Sequence, residues 1–157
     1  MSRRFAVVVV LAAVVAAWSP VGTAGAGEKV PLEKVPPAAV KTVKDRFPKA
    51  EIRYVDKEPT GDYEFAMKEG SRQFDVGVTG DGKLLNVKEE IPEEQLPKAV
   101  KEGVQKKFPG AKFVEIEKVT SGDGDAAKVT FEMVLRTEKG RQAVRFDSSG
   151  NLLSDAK

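Results

Sequence analysis

The stretch Val35–Ala50 recurs as Leu96–Ala111, with Pro36, Ala38, Val43, Phe47, Pro48 and Ala50 returning as Pro97, Ala99, Val104, Phe108, Pro109 and Ala111. An initial proline and a terminal Phe-Pro held in register across about 61 positions mark an internal repeat rather than two unrelated helices of similar composition. Farther on the pairing resumes at an offset of about 68, which lays Tyr63-Glu64-Phe65 on Phe131-Glu132-Met133 and Gly82-Lys83-Leu84-Leu85 on Gly150-Asn151-Leu152-Leu153. The extra residues of the second copy fall between those blocks. The Gly- and Asp-rich run Thr120–Ala127 is the place for them and reads as a hairpin loop.

Within each copy the element order follows from local signals. Pro36 opens a helical pattern over Pro36–Arg46, in which Val40, Val43 and Phe47 recur at helical spacing, and Pro48 ends it by disfavouring the helical conformation of the residue before it. The second copy predicts a helix over Glu93–Lys107, with acidic residues at its start and Lys106 and Lys107 at its end, both favourable to the helix dipole. Gly103 inside that helix marks a close approach to the sheet. Alternation follows: Tyr63, Phe65 and Met67 against Glu64, Ala66 and Lys68; Phe74, Val76 and Val78 against Gln73, Asp75 and Gly77; Val129, Phe131, Met133 and Leu135 against Thr130, Glu132, Val134 and Arg136. Period-two alternation predicts antiparallel strands with one face on the core.

The fold class is therefore α+β: two repeats, each one helix followed by about four antiparallel strands. A unit of about 60 residues buries only about 60% of its unfolded surface and is marginal alone. The two copies are expected either to join edge to edge into one broad sheet with both helices on one face, or to stand as modules strung by Val87–Ile91. The short, charged character of that segment favours joining. The chain divides into residues 1–26, a first repeat over 27–90 and a second over 91–157.

Residues 1–26 read as a signal peptide. Arg3 and Arg4 precede the apolar run Phe5–Ala17, which is shorter than the roughly 20 residues of a membrane-spanning helix, and Ala24-Gly25-Ala26 fits a small-x-small cleavage site. The expected location is periplasmic or extracellular, with no membrane span after cleavage. The whole chain holds 26 basic and 24 acidic residues; removing the segment takes two arginines and no acid, leaving 24 of each. A neutral mature chain has no overall pull toward nucleic acid, which is excluded as a partner.

The sequence has no His and no Cys, so Ser-His and Cys-His dyads, imidazole bases, thiolate sites and disulfides are ruled out. Carboxylates remain, but Glu64, Asp75 and Glu132 fall on the polar side of strands and read as solvated cross-strand charge partners. The acidic turns at Thr79–Gly82 and Gly122–Asp125 lack the further ligands and closing Glu of a calcium loop. No enzyme, cofactor or metal site is expected.

What remains is a surface. With helices on one side of the sheet, the other side carries Glu64, Lys68, Gln73 and Asp75 from the first copy and Glu132, Arg136, Arg141 and Arg145 from the second. This is a mixed half beside a basic half, with arginines suited to gripping carboxylates. It is the candidate site for a protein or peptide partner.

The recurring Val35-Pro36-Pro37-Ala38-Ala39-Val40, Phe47–Ala50, Tyr63-Glu64 and Asp81–Leu85 pattern resembles the PepSY-like repeats of exported bacterial proteins, which are related in shape to the β-lactamase-inhibitor protein. The likeness covers nearly all of residues 30–155, twice over. It implies a helix packed on an antiparallel sheet in each repeat, secretion, and a binding or inhibitory role toward an envelope or secreted enzyme. The chain departs from the pattern at Tyr54-Val55 and Glu115-Ile116, where many such repeats carry Trp, and at Ser149-Gly150-Asn151, where the Asp-Gly turn is missing. The alternative reading is a small-ligand- or metal-responsive envelope protein.

Overall fold

A computed structural model describes residues 27–122 and 124–156. The signal peptide read in residues 1–26 lies outside the described residues, as does Asp123 of the Thr120–Ala127 run. In chain order the elements are β1 (Glu28–Val30), α1 (Pro37–Arg46), β2 (Glu51–Lys57), β3 (Tyr63–Glu69), β4 (Arg72–Val78), β5 (Leu84–Glu90), α2 (Lys98–Lys107), β6 (Lys112–Ser121), β7 (Lys128–Thr137), β8 (Gly140–Asp147) and β9 (Leu152–Ala156). The nine strands lie in one sheet in sequential order, each antiparallel to the next. Each copy is thus one helix followed by four strands, β2–β5 and β6–β9, joined edge to edge through β5 and β6.

Val87–Ile91 is accordingly no linker. Its first four residues, Val87–Glu90, lie in β5, and Ile91 donates its amide to the Ile116 carbonyl at 3.0 Å. The same step occurs in the first copy, where Val30 pairs with Val55 in the short strand β1. The strand β5 therefore closes the first unit and opens the second, a double role that its charged sequence conceals.

α1 begins with Pro37 in the first turn and ends where Phe47 donates its amide to Val43 at 2.9 Å. α2 is shorter than the predicted Glu93–Lys107. Pro97 holds Leu96 extended, at φ −66° and ψ 134°, so Glu93–Gln95 form a separate 3-10 turn and the acidic residues sit outside the helix. The lysines Lys106 and Lys107 do occupy its last turn. The extra residues of the second copy lengthen the β6–β7 hairpin, where Gly122 donates to the Leu85 carbonyl at 3.1 Å.

Two apolar cores lie under the one sheet. Val35, Ala39 and Val43 from the first helical segment pack on Val55, Phe65, Met67, Phe74 and Val76; Leu96, Val100 and Val104 pack on Ile116, Phe131, Met133, Leu135, Val144 and Phe146. Register fixes the side: Phe65 faces Val76, Val76 faces Val87, Val87 faces Thr120 and Thr120 faces Val129, all on the side of the sheet that carries Phe131. Both helices therefore cover the same face. The units share a continuous ladder of backbone hydrogen bonds rather than a single core, and this coupling relieves the size problem of each copy.

The repeat extends to irregularities. Register shifts lie between Ile52 and Tyr54 and, at the equivalent place, between Phe113 and Glu115; a second equivalent pair lies beside Gly77 and Arg145. Bulges at matching positions bend and twist both halves alike.

An uncovered charged sheet face as the candidate functional site

The face opposite the helices is built from every second residue of β2–β9. The register places all the residues singled out from the sequence there. Glu64 and Lys68 on β3 stand opposite Gly77 and Gln73 on β4, Asp75 stands opposite Ala66, and on the far side Glu132 faces Arg145 and Arg136 faces Arg141. The alternation that buries Phe65, Phe74, Phe131 and Phe146 on one side presents these charges on the other.

The charges are not all solvated, contrary to the sequence-based expectation. Lys88 on β5 is the register partner of Asp75, yet its ammonium crosses β4 to bond Glu64 at 2.8 Å. Gly77, opposite Glu64, offers no side chain in the way. Both members of the Lys88–Glu64 pair keep only about a quarter of their side-chain exposure, 25% and 27%. Burial pulls the Lys88 ammonium down, but the Glu64 bond and charge, together with the charges of Glu117 and Glu132, outweigh it and leave the group more basic than usual.

Asp75 is left without that cation. Burial, reinforced by Glu64, pushes its carboxyl up to about 6 against the pull of Lys88. Glu117 on β6 meets the same situation across the junction. Burial first, then Glu115 and Glu132, push it up to about 7, with Lys88 pulling the other way. One lysine therefore serves a row of carboxylates from both repeats. Glu132 is bonded to Arg145, so that arginine is occupied within the face.

Two acceptors nearby are also short of donors: among the described residues, the buried Oδ1 atoms of Asp56 and Asn86 accept no hydrogen bond. Lys29 stands 3.7 Å from that Asp56 oxygen and packs its ammonium over the Tyr54 ring, which is itself 47% exposed on this face. Burial, followed by the charges of Asp75, Asp56 and Glu64, makes the Tyr54 hydroxyl less acidic than usual. Among the described residues no group of three or more His, Cys, Asp or Glu side chains is arranged to hold a metal ion.

Sequence reasoning missed Lys88, Glu117 and Lys112. Lys88 and Glu117 were available as the polar phase of Asn86–Glu90 and Glu115–Val119, but Val87–Ile91 reads as a linker until β5 is known to pair with β6. Lys112 becomes visible only in register, where it stands opposite Arg136.

A twofold α+β unit with one sheet face covered by helices and the other left to charged side chains defines a tandem-repeat architecture. The chain belongs to the family described as "Putative beta-lactamase-inhibitor-like, PepSY-like", whose pattern matches it twice, over residues 16–86 and 79–154. Solved structures share the fold. A BLIP-like protein from Bacteroides fragilis superposes with a TM-score of 0.62 at 16% identity, covering 75% of this chain and 82% of that one. A protein from Bacteroides eggerthii described as "putative periplasmic" gives 0.67 at 13% identity, covering 77% and 87%. A DUF2874 family protein from Bacteroides ovatus gives 0.65 at 13% identity, covering 76% and 85%. At these identities the likeness shows the fold. No curated protein matches the chain. Among the described residues no helix is long and apolar enough to cross a membrane.

Proposed function

We propose that the protein is an exported, non-enzymatic binding module that docks a protein partner through the uncovered face of its sheet and thereby regulates or inhibits it. The observation that carries this reading is the electrostatic state of that face. Asp75 and Glu117 are held there mostly buried, with their carboxyls raised to about 6 and about 7, around a lysine already committed to Glu64. A face kept soluble only by hydrated charge has no reason to desolvate carboxylates without partners; a partner that brings donors satisfies them. The absence of His and Cys from the sequence leaves no imidazole or thiolate chemistry for an enzyme. The family and the periplasmic description of one structural neighbour support export.

Site-specific photo-cross-linkers test the reading. Placed at Gln73 on the open face and at Gln105 on α2, they are exposed to the envelope fraction of the producing cell. The reading expects a discrete protein adduct from Gln73 and none from Gln105. Adducts from Gln105 alone, or none from either position, overturn it.

A further inference from the structure

At one end of the open face three cations stand side by side. Lys112, Arg136 and Arg141 are successive register partners across β6, β7 and β8, and all three are exposed. Among the described residues none of them forms an ion pair; Arg141 is only near enough to Glu115 to lower its proton affinity against the larger effect of burial. Like charges directly opposed in an antiparallel pair are destabilising. The scaffold does not require them. The equivalent row of the first unit, Glu51, Lys68 and Gln73, is paired in the same way across β2, β3 and β4 and is neutral as a set. The second unit has turned a neutral row into three cations. Beside that row on the same face lie the successive register partners Glu115, Val134, buried at 8% exposure, and Ala143.

We propose that the row Lys112–Arg136–Arg141 anchors an acidic segment of the partner protein, carboxylate side chains on an extended stretch lying over β6–β8. The proposal rests on the open face being the docking surface. Beside Arg136 and Arg141, where Val134 and Ala143 lie, a carboxylate carried by an aliphatic stem fits better than a fully hydrated inorganic anion does, and the two arginines supply paired donors for it. Extended over two inter-strand steps of roughly 4.8 Å each, the row is matched to several carboxylates in succession rather than to one.

The test uses the purified chain and fluorescent hexa-glutamate, with hexa-glutamine and inorganic phosphate as comparison ligands, at low and at physiological salt. The triple substitution Lys112→Glu, Arg136→Lys, Arg141→Gln installs the first unit's row, which this scaffold already accommodates. Lys44→Gln, Lys49→Gln, Lys106→Gln removes the same net charge from the helix side. Hexa-glutamate is expected to bind the native chain, to lose about tenfold or more in affinity in the row variant, and to change by less than about twofold in the helix-side variant. Circular dichroism is expected to show the row variant folded and melting no lower than the native chain, since it removes repulsion. If it does not fold, Arg136→Gln alone carries the same expectation with a smaller loss. Equal losses in both variants, phosphate binding as tightly as hexa-glutamate, or no binding of hexa-glutamate overturns the proposal. A Gln73 adduct whose yield is unaffected by the row variant overturns it while leaving the docking reading intact; hexa-glutamate binding with no Gln73 adduct overturns the docking reading and, with it, the assignment of the acidic segment to a partner protein.

Discussion

Gly103, in the middle of α2, lies directly against Gly150 in the turn before β9, so that a Cβ on Gly103 would overlap the Gly150 carbonyl oxygen. Gly150 is itself at φ +84°, and a Cβ there would strike the Ala99 carbonyl. The first unit solves the same contact differently. Thr42 occupies the place of Gly103, and its hydroxyl donates to the Gly82 carbonyl at 2.7 Å. One unit fastens helix to turn by a hydrogen bond, the other by backbone contact.

Replacing Gly103 by Ala therefore destabilises the protein even though Ala is the better helix former. The helix gains about 1 kcal/mol in propensity, but forcing helix and turn apart costs about 1–3 kcal/mol or more because the obstructing atoms are backbone. A net loss of about 1–2 kcal/mol, a fall in melting temperature of several degrees by calorimetry, is expected.

The raised carboxyls make stability depend on pH in a defined direction. Asp75 goes from the usual 3.8 to about 6 and Glu117 from 4.5 to about 7, so between these limits the folded state holds more protons than the unfolded one. Stability then falls as pH rises from about 4 to about 7. Glu117→Gln removes the larger cost and should stabilise the protein at pH 7.5 by on the order of 1 kcal/mol after allowance for solvent screening, with little effect at pH 5. Melting curves of both chains across this range decide the point.

Lys88→Met has the opposite consequence. It leaves Glu64 without its 2.8 Å partner and takes the nearest cation from Asp75 and Glu117. A loss of about 1–3 kcal/mol is expected at pH 8, shrinking toward pH 5 as the raised carboxyls become neutral. Denaturant unfolding at the two pH values measures it.

The elements that the sequence disclosed were those with a repeated or periodic signal. Pro36 and Pro97, the Phe-Pro helix ends and the alternating strands around Phe65 and Phe131 each stand on a local rule, and the structure keeps them. The open-face positions of Glu64, Asp75, Arg136 and Arg141 followed from the same alternation. What stayed hidden depends on pairing between distant segments. Lys88 sits in a run, Lys88-Glu89-Glu90, that resembles a solvated linker until β6 lies beside it. Its choice of Glu64 over its own register partner Asp75 is a side-chain event that no periodicity records. Arg145, read with Arg136 and Arg141 as an arginine for a partner's carboxylates, is bound to Glu132, while Lys112, which carries no signal of its own in the sequence, stands in line with two arginines.

On the proposed function, specific recognition belongs to what the two units do not share. Its most direct test is the yield of the protein adduct from a photo-cross-linker at Gln73, compared between the native chain and the chain carrying Lys112→Glu, Arg136→Lys and Arg141→Gln. A sharp fall in yield with the fold intact is the predicted result; an unchanged yield, or no Gln73 adduct from the native chain at all, would contradict it.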